Sequence, residues 1–254
     1  MEKHVLYNGE VEMDYDDVDH KYYYNSLDLP SSTTITGILD KPALRYWYVN
    51  QALDRLRSKI IPGRSYDEVQ IENIFSKAKY SGNDARDKAA SIGRLVHTWI
   101  EGYVKEQIIN GIANVPPFPH HTGAVKSIES FLRWERENDP SYIFSERRMI
   151  SQKHLFAGTL DIAALVDGKP YVIDIKTGKA VYPEYWLQTA SYALMLSEEQ
   201  PDGWSYSLED TGRIILLIPQ ATGKLSVRKP KSDILADADT FVNLRNVYRW
   251  KESK

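Results

Sequence analysis

Asp161, Asp174 and Lys176 lie on two apolar, β-prone runs, residues 159–166 and 171–176, separated by Asp167-Gly168-Lys169-Pro170. Asp-Gly between such runs is a strong hairpin signal. Side chains alternate between the faces of a strand, so Asp174 and Lys176 share one face of the second run. In a bulge-free hairpin with a two-residue loop, Val166 pairs with Lys169 and Asp161 falls opposite Asp174. A four-residue loop pairs Val166 with Tyr171 and sets Asp161 opposite Lys176. Either register leaves all three charges on one face; a three-residue loop with a bulge breaks this. Two carboxylates facing each other repel. They need a compensating cation, either a hard divalent metal, which prefers oxygen ligands, or the Lys176 ammonium. An ordinary salt-bridge cluster on an exposed sheet face has the same pattern. A metal there polarises a phosphoryl oxygen and lowers the pKa of a bound water, while Lys176 orients that water or offsets charge on the phosphate. The chemistry that uses all three groups is phosphodiester hydrolysis.

The flanking segments must position this hairpin. Residues 123–137 predict an amphipathic helix, with Val125, Ile128, Phe131, Leu132 and Glu135 in periodic order. Residues 142–150 alternate as a strand, and Glu146 shares a face with Tyr142 and Phe144; a salt bridge to Arg148 is the plain reading of it. After the hairpin, Pro183 suits the first turn of a helix over 184–196. Gln188 and Tyr192, four apart, face one side of it. A buried strand follows at 212–218 and a closing helix at 233–251, carrying Phe241, Leu244, Val247 and Trp250. The element order from 123 onward is αβββαβ, which predicts a mixed α/β (α+β) fold. We divide the chain into residues 1–122, strands plus a helical elaboration, and residues 123–254, the core.

Upstream, residues 5–30 read as short strands, with Tyr22-Tyr23-Tyr24 an edge strand in preference to a base-stacking platform. Ser31 to Thr34 form a hydroxyl-rich helix cap. A helix over 43–60, with Pro42 at its start, would bury Leu44, Trp47, Ala52 and Leu56. Residues 66–80 predict another helix, and Ser81-Gly82-Asn83-Asp84 caps a long one over 85–109. That helix carries Ala89, Ile92, Val96, Trp99 and Tyr103 at helical spacing, with His97 beside the stripe. A lone histidine there is ordinarily a core or boundary residue. Residues 114–121 form a loop; adjacent side chains diverge and no third ligand accompanies His120-His121, so that pair reads as surface.

Gly158-Thr159-Leu160-Asp161, then Asp174-Ile175-Lys176, then Gln188-x-x-x-Tyr192, in this order, resemble the PD-(D/E)xK nuclease superfamily and within it the RecB-like exonuclease branch. The first element reads Gly-Thr-Leu-Asp where the superfamily name has Pro-Asp, a departure common in this branch. The stretch from Leu29 to Trp47 resembles the Pro-Ser-x-Thr opening of phage-encoded and mitochondrial RecB-like exonucleases. The resemblance implies a restriction-endonuclease-like αβββαβ core and a Mg²⁺ or Mn²⁺ ion. Asp161, Asp174, the backbone carbonyl of Ile175 and, through the family's Gly-x-x-x-His pattern at Gly93–His97, His97 would hold the ion. Relatives often place a glutamate near the metal at the position of Glu146. Lys176 would hold the attacking water and the scissile phosphate; Gln188 and Tyr192 would contact the nucleic acid and organise the acidic cluster. The implied activity is a metal-dependent DNA nuclease, an exonuclease on single-stranded or end-containing DNA in recombination, repair or replication. It would work beside a recombinase or single-strand-binding partner. Arg45, Tyr46, Arg86, Lys88 and Arg94 are candidates for the basic groove that a single strand requires. Two other readings stand: a non-catalytic DNA-binding or assembly subunit on the same fold, and a site-specific endonuclease.

Composition narrows the classes. The chain has 254 residues, enough for a substantial core, and no cysteine, which excludes disulfides and thiolate-held iron–sulfur clusters. No Walker-type loop appears, so no nucleotide cofactor is expected. No apolar run approaches the ~20 residues that span a bilayer, and Met1 to Glu10 lacks a targeting pattern. The expected compartment is the cytoplasm, the host's if the chain is phage-encoded. A net charge of −3 does not advertise a nucleic-acid binder, so any such surface must be local.

Overall fold

The computed structural model describes residues 1–111 and 115–254. Among these it is a mixed α/β protein with two sheets. The first sheet is a meander of β1 (Glu2–Leu6), β2 (Val11–Asp16), β3 (Lys21–Tyr24) and β4 (Leu27–Leu29), paired in that order and antiparallel throughout. The tyrosine run is therefore an interior strand of this sheet, not an edge. Tyr22 is buried and its hydroxyl hydrogen-bonds Thr159 Oγ1 at 2.8 Å, which explains its aromatic character by packing. Val11, Met13 and Tyr15, the alternate residues of β2, form a core with Ile150 and Ala157.

Three helices follow. In α1 (Ser32–Thr36) the Ser31 hydroxyl accepts the Thr34 N–H at 3.0 Å, the hydroxyl cap expected from sequence. The next, α2 (Pro42–Lys59), starts on its proline as expected, but no residue in it is fully buried. Trp47, Ala52 and Leu56 are half-buried and Leu44 is exposed, so the expected buried stripe is only partly covered. The two helices expected at 66–80 and 85–109 are one continuous helix, α3 (Glu68–Asn110). Gly82 does not break it; a Cβ there would stand 2.2 Å from the Tyr48 ring, so the glycine marks a close approach of side chain to helix. Val96, Trp99 and Tyr103 are buried as expected, Ile92 is half-buried, and Ala89 is exposed.

After α4 (Thr122–Asn138) comes the five-stranded sheet, in the order β5 (Ser141–Ser151), β6 (Phe156–Val166), β7 (Lys169–Lys176), β8 (Gly212–Leu217), β9 (Ser226–Arg228). The connection from β7 to β8 passes through α5 (Pro183–Glu199), and these two strands are parallel; the other neighbours are antiparallel. A parallel pair needs such a crossover. The short β9 carries too little pattern to be read from sequence. The closing helix α6 (Ile234–Glu252) is capped by the Asp233 carboxylate; Phe241 is buried, while Val247 and Trp250 are exposed. From α4 to β8 the order is αβββαβ, as expected. No helix among the described residues is long and apolar enough to cross a membrane.

Side-chain packing explains why α5 lies where it does. Ala163 and Val172 pair across the β6–β7 hairpin and share a core with Ala190, Tyr192 and Ala193 of α5. The residues on that face of the hairpin include Asp161 and Asp174, so α5 covers the face that carries the acids.

The chain forms two compact units, residues 1–38 with 95–254, and residues 39–94. This division falls at other points than the boundary at 122 drawn from sequence: the four-stranded sheet, α1 and the last turns of α3, from Leu95, belong with the αβββαβ elements.

Candidate functional site

The hairpin turn is the two-residue form. Asp167 and Gly168 have φ of 51° and 72°, the double left-handed conformation of a type I′ turn, and Val166 pairs with Lys169. The ladder continues to Ile162 opposite Ile173. One step further, Asp161 stands opposite Asp174. On the other side of β6, Ser145 pairs with Ile162 and Arg147 with Leu160, so Glu146 stands opposite Asp161. Three acids on three neighbouring strands thus form one row across the sheet.

The sheet is irregular at this row. The β5–β6 ladder omits the Glu146–Asp161 pair, and Glu146 has a φ of 47°, in the left-handed region. A bulge near Ile143 shifts the register by one, so the alternation of Tyr142, Phe144 and Glu146 read from sequence does not hold through it. The Tyr142 hydroxyl instead donates to Glu135 at 3.2 Å. Past the end of the β6–β7 ladder, the Ile175 N–H donates to Asp161 Oδ2 at 2.7 Å. The Ile175 carbonyl lies on the same strand edge as its N–H, facing β6, whereas the Lys176 carbonyl accepts the Ile218 N–H on the other side.

His97, on α3, brings Nδ1 to 3.6 Å from Asp161 Oδ2. Ligand atoms of His97, Glu146 and Asp161 all lie within 4.8 Å of one another. Burial pushes the Glu146 carboxyl up to about 8, helped by the charges of Asp161 and Glu101 and opposed by Lys105 and Arg148. The expected ion pair of Glu146 with Arg148 does not form; Arg148 pairs with Glu2 and Asp17 at 3.3 and 2.9 Å.

Asp174 is 1% exposed, so the row is not a solvated salt-bridge face. Burial pushes its carboxyl up to about 6, against the pull of Lys176 and with Asp161 adding to the rise. Lys176 Nζ donates to Asp174 Oδ1 at 3.0 Å and lies 2.8 Å from Oδ2, which is enclosed and takes no hydrogen bond. Burial favours the neutral amine, but Asp174 and Asp161 outweigh it and hold the ammonium above its ordinary range. Nζ also donates to Gln188 Oε1 at 3.3 Å, and Gln188 Nε2 donates to the Tyr192 hydroxyl at 2.7 Å. Burial keeps that hydroxyl protonated well above its ordinary range.

The residues singled out on the hairpin and α5 therefore meet, with His97 and Glu146 around Asp161 and with Lys176 and Gln188 around Asp174. Tyr185 was missed by the sequence reading; its ring centre lies 4.8 Å from Lys176 Nζ, a cation–π contact. Its position three before Gln188 on one helix was the available signal. Arg45, Tyr46, Arg86, Lys88 and Arg94 belong to the other compact unit. All five are exposed; Arg45 pairs with Asp40 at 2.8 Å and Arg86 with Asp87 at 2.9 Å. His120 is exposed and His121 caps α4 through Nδ1, so neither is a ligand in a cluster. The loop of these histidines is seen over 115–121; Asn114 lies outside the described residues.

The donor set fits a divalent cation. Carboxylates with one imidazole match Mg²⁺ or, because imidazole is the softer donor, Mn²⁺. One feature points the same way: ligand atoms of His97, Glu146 and Asp161 lie close together, and burial with the neighbouring carboxylates disfavours charge on Glu146 in a way that a cation would relieve; Asp174 is already ion-paired with Lys176 and stands outside that trio. Comparison with protein-family models and with curated proteins finds no match.

Proposed function

We propose that this chain is a divalent-metal-dependent deoxyribonuclease of the PD-(D/E)xK, RecB-like kind, acting exonucleolytically on single-stranded or end-containing DNA. The observation that carries the reading is the cluster of His97, Glu146 and Asp161 ligand atoms on the strand row that also bears the buried Asp174–Lys176 pair, which Gln188 and Tyr192 extend by hydrogen bonds. An exposed charged sheet would have no cause to bury Asp174 or to assemble an amide and a phenol around the ammonium.

Asp161, Glu146, His97 and Asp174, with the Ile175 carbonyl, would hold the ion. When bound, it supplies Lewis-acid polarisation of a phosphoryl oxygen and a more acidic water. The Ile175 N–H fixes Asp161, so this carboxylate keeps its orientation. Lys176 has three N–H donors; Asp174 and Gln188 engage two, leaving the third for a phosphate oxygen or the attacking water. Gln188 is held by Tyr192, so the ammonium is aimed by a chain of hydrogen bonds instead of by a mobile stem. In the reaction, water oxygen would bond to phosphorus as the ester P–O bond breaks, with one water proton passing through solvent to the departing oxygen and the other released from the new phosphate monoester. Lys176 stabilises the charge that accumulates on the phosphate.

The test uses purified protein with Mn²⁺ or Mg²⁺ on linear and circular DNA, each single- and double-stranded. Degradation of linear and not circular substrate, lost on chelation, is the expected result. Cleavage of circles at defined positions indicates a site-specific endonuclease. Binding without any cleavage indicates a non-catalytic subunit on this fold, and either outcome replaces the proposal.

A further inference from the structure

The compact unit of residues 39–94 holds eleven Lys and Arg against seven Asp and Glu, a net charge of +4, whereas the rest of the chain holds 21 against 28, a net −7. The overall −3 therefore hides a basic unit in an acidic chain. Within it, the last turns of α2, the 60–67 connection and the first turns of α3 line a cavity of about 340 Å³. Arg55, Lys59, Arg64 and Lys77 converge on it, with Tyr66 and Gln70 beside them, and no carboxylate lines it. None of the four cations forms an ion pair among the described residues, unlike the neighbouring Arg57, which pairs with Asp54 at 3.2 Å.

The cavity's frame is held in place. Gly63, at φ 80°, makes the turn, and the Arg64 N–H donates to the Ile61 carbonyl at 3.2 Å. The Tyr66 hydroxyl donates to the Lys59 carbonyl at 3.0 Å and accepts the Ile61 N–H at 2.8 Å, tying the end of α2 to the connection. The Arg64 guanidinium lies 5.3 Å from the Tyr66 ring centre. Four like charges drawn around one concavity repel unless an anion sits among them. Guanidinium and ammonium groups together suit phosphate oxygens.

We infer that this cavity binds the phosphodiester backbone of a single nucleic-acid strand. The inference rests on the nuclease reading for the identity of the polyanion and adds a binding site for it. A volume at the low end of ligand pockets takes a nucleotide or two of flexible strand and excludes a duplex. The four cations neutralise its phosphates and release counterions.

The test is fluorescence anisotropy of a labelled oligothymidylate in chelator, so that cleavage plays no part and failure of the nuclease reading is scored separately. Wild type is compared with Lys59→Ala/Arg64→Ala/Lys77→Ala and with a charge-matched control in the other unit, Lys153→Ala/Lys231→Ala/Lys251→Ala. The cavity variant should bind at least about tenfold more weakly at moderate salt, and its log–log salt slope should fall by about 2, at ~0.7 per phosphate contact for single strands. The control should bind as wild type. Equal loss in both variants, no loss in the cavity variant, or no binding by wild type overturns the inference. Preference for heparin over the oligonucleotide, abolished by the same substitutions, also overturns it in favour of a general polyanion site. An unmutated readout guards against misfolding: oligonucleotide should protect Lys59 and Lys77, and not Lys231 or Lys251, from an amine-reactive label. Unprotected Lys59 and Lys77 contradict it.

Discussion

Glu146 and Asp174 are acids that the fold keeps partly protonated, and this fixes the sign of their pH dependence. Glu146 is raised from 4.5 to about 8, so between these values the folded chain holds a proton that the unfolded chain has released. Its contribution to stability therefore falls as pH rises through that window; Asp174 does the same from 3.8 to about 6. Metal-free wild type should lose melting temperature relative to Glu146→Gln as pH goes from 6 to 8, beyond the Asp174 window. A constant difference between the two would contradict the assignment. Lys176 is the counterion of Asp174 within this pair. Lys176→Ala should reduce cleavage at least about 100-fold, the scale of losing a transition-state charge partner. It also leaves Asp174 buried and uncompensated, a loss of about 3–5 kcal/mol for an ionised group. Below pH 6 Asp174 avoids part of this by taking a proton. The melting temperature of Lys176→Ala should accordingly drop more at pH 8 than at pH 5, and Asp174→Asn/Lys176→Met should recover stability without activity.

At the scale of elements, α5 must lie close on β6 for Gln188 to reach Lys176. Gly158 permits it: a Cβ there would stand 2.8 Å from the Tyr192 ring, 2.9 Å from Ser32 Oγ and 3.2 Å from the Met195 methyl. These neighbours are buried and cannot swing away. Gly158→Ala should cost about 1–3 kcal/mol by overpacking and should lower kcat, because Tyr192 is the group displaced; unaltered stability and turnover would show that the contact yields freely. The hairpin was legible in the sequence because Asp167-Gly168 fixes the turn and period-two parity then places Asp161 against Asp174 without further information. The position of Glu146 was legible only by family likeness. Its left-handed backbone and the bulge at Ile143 before it break the strand's period-two alternation, which the residue pattern of that strand does not encode. The continuity of α3 was missed for a related reason: Ser81-Gly82-Asn83-Asp84 has the composition of a cap, and the Tyr48 ring lying against Gly82 belongs to another helix. The exposed ends of α2 and α6 likewise show that apolar periodicity states which residues share a face, not whether anything covers it.

At the scale of the molecule, the site draws on α3, β5, β6, β7 and α5, so its donors meet only in the folded chain. Residues near the start tie down the elements that carry it, since the Ser191 hydroxyl of α5 donates to Ser32 Oγ at 2.8 Å and the Ala157 N–H of β6 to the Pro30 carbonyl at 3.0 Å. An ion that binds this assembly and not the unfolded chain must raise the melting temperature with its concentration, by the equivalent of about 2.7 kcal/mol at a hundredfold excess over Kd. The same linkage makes the gain larger at pH 6 to 8 in the wild type than at pH 5, where the ion competes with protons for Glu146 and Asp174. The most direct measurement is a calorimetric titration of Mn²⁺ into wild type, Asp161→Asn and His97→Ala at pH 8. The account predicts a site of millimolar affinity or better in wild type that Asp161→Asn abolishes and His97→Ala weakens. Absence of any such site in wild type, or an undiminished one in Asp161→Asn, contradicts it.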